Sequence, residues 1–375
     1  MNRISIAVSL MLVSTGVLAQ SSVTLYGLID EGFGFTNNAG GKKAYQTQSG
    51  WDAGDRWGVK GTEDLGGGLS AIFTLENGFD LDSGALGQSG RMFGRQAFVG
   101  MKSERFGTLT LGRQYDTIVD YLGPLTANGG YGGWPFAHPY DNDNTDNTFR
   151  ANNSAKYTSQ DIGGVQFEGL YGFSNQAGNF GSNRLYSAGV SYARSGLSVA
   201  GAYLQANSGG TNSSGSLATD DANFVAQRQQ TWGAAATYVI GSVTGGLNYT
   251  HTSLVNPTST VYLEALGGTS HLKFDNFEVF GKYQFTPAFF SLLMYNFTEA
   301  SLETSGGKSK PKWNQIGILA DYNLSKRTDV YVQGTYQHVA DGQGTVFEDA
   351  YITGSGGPSS GSSQLLLRVG MKHAF

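Results

Sequence analysis

The chain has 375 residues, 56 of them glycine and none cysteine, with 14% charged and 13% aromatic residues and a net charge of −5. So many tyrosines and phenylalanines with so few charges exclude a charge-rich disordered chain, and zero cysteine excludes a disulfide scaffold, a thiol nucleophile and a thiolate-held metal. The mildly acidic balance offers nucleic acid no basic footprint, and past the N-terminus no segment holds the ~20 apolar residues of a spanning helix.

Residues 1–19 read as an export signal. Arg3 gives the positive start, Ile4 to Leu18 is apolar but too short to span, and Val17 and Ala19 are the small residues before a cut at Gln20. The expected organisation is a removed signal, 1–19, and one domain, 20–375. Export without cysteine fits a Gram-negative envelope.

From there on, apolar and polar residues alternate over runs of about ten positions. The first run spans Val23 to Glu31. In the next, Trp57 and Val59 fall outward, which turns Arg56 and Lys60 inward. Phe98, taken as outward, places Arg95 inward. Leu109 and Leu111 outward leave Arg113 on the outer side unless a bulge re-aims it. Phe167, Gly169 and Tyr171 alternate with Gln166, Glu168 and Leu170, and similar runs start at Tyr186, Val243, Phe277 and Asn314. The last run sets Leu365, Leu367, Val369, Met371 and Phe375 against Gln364, Arg368 and Lys372, and the sequence stops on Phe375. That strand is expected to close on Val23 to Glu31.

Soluble strands usually run about 5–6 residues, so these are long. Tight breaks, such as Gly66-Gly67-Gly68, Ser195-Gly196 and Gly241-Ser242, alternate with polar stretches at 37–49, 116–153, 207–227, 253–270, 299–310 and 341–363. Short turns at one end and long loops at the other define an all-β fold: a transmembrane antiparallel β-barrel of about sixteen strands, with short periplasmic turns. A sheet spans hydrocarbon only when closed, and only alternate residues then meet lipid, which explains a hydrophobic content of just 39%. The five histidines show no metal-ligand spacing. Asp141-Asn142-Asp143 begins like a calcium loop, but Asp146 and Asn152 stand where glycine and glutamate are needed. No nucleophile elbow or phosphate cradle appears, so no enzyme, cofactor or metal is expected.

At this point the sequence resembles the general diffusion porins of β-proteobacterial outer membranes. The carrying stretches are Ser22 to Asp30, Asp55 to Leu69, Phe93 to Gly100, Gly107 to Tyr115 and Val369 to Phe375. The resemblance implies a homotrimer of sixteen-stranded barrels in the outer membrane, in contact with lipid and lipopolysaccharide. It would form a water-filled channel for passive diffusion of ions and small hydrophilic solutes; a substrate-specific channel of the same fold is the alternative. The resemblance also implies that the third external loop folds into the lumen. It suggests a basic cluster of Arg56, Arg95 and Arg113 on the wall, facing loop acids drawn from Asp116, Asp120, Asp141 and Asp143. Lys60, Arg368 and Lys372 are further inward-facing cations by parity.

Overall fold

The computed structural model describes residues 21–263 and 265–375; the export signal read over 1–19 lies outside them. Its strand segments are β1 (Ser22–Ala39), β2 (Lys42–Ser49), β3 (Arg56–Gly66), β4 (Leu69–Gly78), β5 (Gln96–Ser103), β6 (Gly107–Gln114), β7 (Ala151–Thr158), β8 (Val165–Gly172) and β9 (Arg184–Arg194). The second half holds β10 (Leu197–Gly209), β11 (Phe224–Ile240), β12 (Val243–Thr260), β13 (Thr269–Thr286), β14 (Phe289–Thr304), β15 (Gly307–Ser309), β16 (Lys312–Asn323), β17 (Thr328–Ala340) and β18 (Ser363–Ala374). All pair antiparallel with their neighbours, and β1 pairs with β18, so the sheet closes without an edge. Because β2 and β3 both pair with β1, and β15 and β16 both pair with β14, eighteen segments make sixteen crossings.

The register shows how alternation builds the wall. One row across the sheet runs Leu247, Val279, Tyr295, Ile316, Tyr336 and Leu365. The row one residue away runs Asn248, Glu278, Asn296, Gln315, Gln337 and Gln364. The first faces outward, with Leu247 63% exposed, and the second is buried inward. Lipid covers the outer row, and each large side chain so covered contributes roughly 1.5–3 kcal/mol. Amides can face inward because the interior supplies hydrogen bonds.

The turns follow the same local logic. Ser195 and Gly196 join β9 to β10 as a two-residue turn with φ of 53° and 84°, the left-handed pair that matches strand twist. At the closing seam the Phe375 N–H donates to the Gly27 carbonyl and the Gly27 N–H to the Phe375 carbonyl, both at 3.0 Å. Gly27 is needed there: a Cβ would sit 2.3 Å from the Phe375 ring.

Two stretches expected as loops are strands instead. Residues 37–49 form a hairpin, with Ala39 opposite Lys42 across Gly40-Gly41. Residues 299–310 do likewise, with Thr304 opposite Gly307. Their polar composition reflects strands that extend beyond the membrane, where both faces are wet. Residues 79–95 and 173–183 are additional excursions at the same end.

Candidate functional site

The segment between β6 and β7, residues 115–150, does not project outward. It coils in short helical turns and packs on the inner wall. Ile118, Tyr121 and Leu122 join Leu170, Leu185 and Leu204 in one buried cluster. Ala127 and Phe136 join Phe280, Leu292, Met294 and Leu319 in another on the opposite wall. Gly317 makes room for Phe136, since a Cβ there would lie 2.6 Å from its ring. Inward amides of the wall then bind the loop backbone: Gln315 donates to the Ala137 carbonyl at 3.0 Å and Gln333 to the Gly132 carbonyl. Burial of such polar groups is tolerable only because they are paired.

This packing decides the fate of the loop carboxylates, and it corrects the expectation that they face arginines across the pore. Asp116 is buried, accepting from the Ile118 N–H at 2.8 Å and from Asn144 at 2.8 Å. Asp120 pairs with Lys156 on β7. Asp141 is buried and accepts the Asp146 and Thr148 N–H groups, both at 3.0 Å. Asp143 is buried between His138 at 2.7 Å and Thr250 of β12. His138 also lies 3.6 Å from Glu278 on β13, whose other oxygen accepts the Ala127 N–H at 2.9 Å. The loop is thus fastened to the far wall through a buried histidine flanked by two carboxylates.

The electrostatics inside this anchor follow from burial. Burial and the neighbouring Asp143 push Asp141 up to about 7. Asp146 is driven well above the carboxylate range by burial and by Asp141. For His138 burial opposes the charge, but Asp143 and Glu278 outweigh it and hold the imidazole up to about 10. Asp143 in turn stays below its ordinary value, because the His138 cation overcomes the burial cost.

Between the loop and the wall of β2–β5 lies a cavity of about 720 Å³. Arg56, Arg95 and Arg150 line it, together with Asp146 and Trp134. Arg56 donates to the Gly54 carbonyl at 2.9 Å and makes no ion pair among the described residues. Arg95 donates from Nε to Glu76 of β4 at 2.8 Å. Its inward position has a different cause from the one expected. Phe98 opposes Thr74 and lines the inner cavity with Lys60, while Val99, 59% exposed, faces outward. Strict parity would therefore send Arg95 outward; it turns in because it precedes the strand.

Arg113 also lies inside. The β6–β7 register shifts between Gly112 and Gln114, and Gly112 adopts φ 142°. The side chain then reaches Asp221 of the 210–223 loop with both terminal nitrogens, at 2.5 and 3.0 Å, and the Gly94 carbonyl at 2.8 Å. Arg113 is thereby neutralised and stands behind the cavity rather than on it. Lys60 lies further toward the chain termini, its Nζ 5.1 Å from the Tyr26 ring centre. Arg368 points inward but is sealed between Trp51 and Tyr331, donating to the Gln48 carbonyl at 2.6 Å with Asp30 at 3.4 Å. Lys372 is held by Asp52 at 2.6 Å. Sequence reasoning missed Arg150, Glu76, Asp221 and the anchoring role of His138. Arg150 left one signal, a cation directly before the period-two run that opens β7. Among the described residues no cluster of three or more His, Asp or Glu side chains is arranged to hold a metal ion.

A closed sixteen-crossing barrel with an apolar exterior, a polar interior and an infolded loop is the architecture of an outer-membrane channel. The sequence profile of the Gram-negative porin family matches residues 7–342, and the chain belongs to that family. It is 30% identical to an outer membrane porin protein of Bordetella pertussis, covering 95% of both chains. It is 29% identical to outer membrane porin protein 32 of Delftia acidovorans over the full length of both. Among solved structures, an anion-selective porin from Comamonas acidovorans superimposes with a TM-score of 0.72 at 23% identity, covering 95% of this chain and all of that one. The protein is an outer-membrane porin that forms a water-filled channel for passive diffusion, and members of this family are channels rather than enzymes.

Proposed function

We propose that this channel passes small anions in preference to cations. One observation carries the reading: Arg56 and Arg150 share one cavity with no ion pair among the described residues, beside an Arg95 that Glu76 holds, while the other carboxylates around it are spent elsewhere. Asp221 holds Arg113, Asp52 holds Lys372, Asp220 holds Arg91, and Asp55, also on the lining, is buried and accepts from the Asp30 N–H and the Ser49 hydroxyl. Burial keeps Asp146 toward its neutral form. Asp80 and Asp82 also border the cavity, but they stand exposed on the 79–95 loop, where water and salt screen them. Guanidinium remains charged throughout the working pH range, and low-dielectric walls focus its field on the aqueous path. The Comamonas acidovorans neighbour is described as anion-selective, and these arginines support the same preference here. Reversal potential in a potassium chloride gradient tests it. A value toward the chloride equilibrium potential is expected, and one toward potassium would reject the proposal.

Wall length supports assembly into trimers. Strands β5 to β8 have eight residues each, fewer than the ~9–11 a spanning strand needs, whereas β11 to β13 have 17 or 18. The short wall nevertheless exposes Val99, Met101, Leu109, Leu111 and Phe167. Neighbouring copies would cover that apolar strip where lipid does not match its height. Crosslinking in native membranes should trap trimers; monomers alone would oppose this assembly.

A further inference from the structure

The long wall carries an ordered sequence of outward rows that the channel function does not use. Nearest the middle of the membrane, Val190, Gly201, Ala234, Tyr249, Phe277 and Phe297 lie side by side. Two residues toward the external loops the row becomes Ala188, Tyr203, Trp232, His251 and Asp275. The next is Tyr186, Gln205, Gln230, Ser253 and Lys273. The outermost is Arg184, Asn207, Arg228, Val255 and His271. Apolar side chains thus give way to aromatics, then amides, then cations, over about four tiers. This is the polarity gradient that a membrane surface imposes.

We propose that Arg184 and Arg228, with Asn207 between them, form a seat for the phosphorylated headgroup of an outer-leaflet lipid. The two arginines sit on strands separated only by β10, so their Cα atoms are roughly 10 Å apart, a gap that a phosphate bridges. Both project outward: their inward neighbours Leu185 and Gln229 are buried, and Trp232 on the Arg228 face is 45% exposed. Neither arginine forms an ion pair among the described residues, whereas the other carboxylates of this rim are engaged. Asp275 accepts from Tyr249 and His251, Glu303 pairs with Lys308, and Glu299 pairs with Lys310. Arg184 Cζ lies over the Tyr186 ring, 5.6 Å from its centre, and its Nε is buried without a partner. A cation–ring contact of this kind restrains the guanidinium and leaves its terminal nitrogens free for a bidentate oxyanion. The amide chain below, Gln230 to Gln205 at 2.8 Å and Gln205 to Asn207 at 2.9 Å, holds the floor of the seat rigid. Beneath it the aromatic and aliphatic rows would receive acyl chains. An anion diffusing through the lumen cannot reach this face, so the ligand comes from the membrane itself.

The test uses the full-length protein, delipidated in detergent, with bisphosphorylated lipid A as the probe and native mass spectrometry as the readout. Two comparison ligands are the enzymatically dephosphorylated lipid and inorganic phosphate. Wild type should retain the phosphorylated lipid, and the R184Q/R228Q variant should hold it at least tenfold more weakly, from roughly fivefold for each arginine at an anionic surface. Dephosphorylated lipid should bind both proteins equally and weakly. Single-channel conductance of the variant should match wild type, showing that it folds and inserts. Equal retention by variant and wild type, or equal retention of lipid with and without phosphate, would overturn the seat. Displacement of the lipid by millimolar inorganic phosphate would overturn its assignment to a lipid.

Discussion

Replacing Arg56 and Glu76 in turn tests the charge balance of the cavity with opposite signs. Arg56 has no carboxylate partner, so R56Q removes a whole positive charge. A unit charge roughly 6 Å from a permeating ion in water-like surroundings contributes about 0.7 kcal/mol. It stabilises an anion and destabilises a cation, so the ratio of the two changes by about 1.4 kcal/mol, or tenfold. With a Debye length of about 8 Å at physiological salt, the effect falls to about threefold. In E76Q the amide oxygen still accepts from Arg95 and the amide N–H donates to the Tyr26 hydroxyl instead of accepting from it, both contacts being 2.8 Å in the wild type, while the negative charge between them is deleted. R56Q should therefore lower the chloride-to-potassium permeability ratio about threefold, and E76Q should raise it by a similar factor. The assay is reversal potential in planar bilayers under a fixed salt gradient. Shifts of the same sign, or no shift in either variant, would refute the assignment of these arginines to the ion path.

Other outcomes follow from the same contacts. D221N leaves Arg113 without its counter-ion, so the permeability ratio should move toward anions; an unchanged ratio would show that Arg113 has no influence on the path. Gly27→Leu places a side chain where the Phe375 ring lies, and should lower the temperature at which the folded barrel unfolds on a semi-native gel by several degrees. The loop anchor depends on pH in a defined sense. His138 and Asp141 are both raised in the folded state, so the Asp141 contribution is complete only below its ordinary 3.8 and is lost as pH rises from there to about 7, and the His138 contribution is complete below its ordinary 6.5 and is lost as pH rises to about 10. Asp143 is lowered, so its share is lost only in stronger acid. Protease nicking within residues 115–150 should accordingly increase from pH 6 to pH 10.5, and H138A should show the high-pH susceptibility already at pH 6. Removing one partner of such a buried set costs about 3–5 kcal/mol.

Much of the wall was legible because one physical rule governs it. Where lipid meets one face and water the other, alternation is forced, and Leu247, Val279 and Ile316 announce the strands that carry them. The same rule misleads at Phe98, an aromatic that alternation sends to the lipid face although it stands in the lumen beside Lys60. A pore interior tolerates apolar side chains; a lipid face does not tolerate charge, so charged positions are the safer guide. The 37–49 and 299–310 hairpins escaped notice because beyond the membrane neither face is oily. The loop acids could not be placed from sequence at all. Whether Asp141 faces water or its own backbone depends on packing between the infolded segment and strands more than a hundred residues away. Arg113 hinged on a single bulge at Gly112.

Channel function requires an aqueous path that stays open beside the infolded loop, and single-channel recording of the purified wild-type protein in a planar bilayer measures that path directly. Stepwise, long-lived conductance that scales with bath salt concentration is the expected result. A membrane that remains electrically silent after confirmed insertion would contradict it.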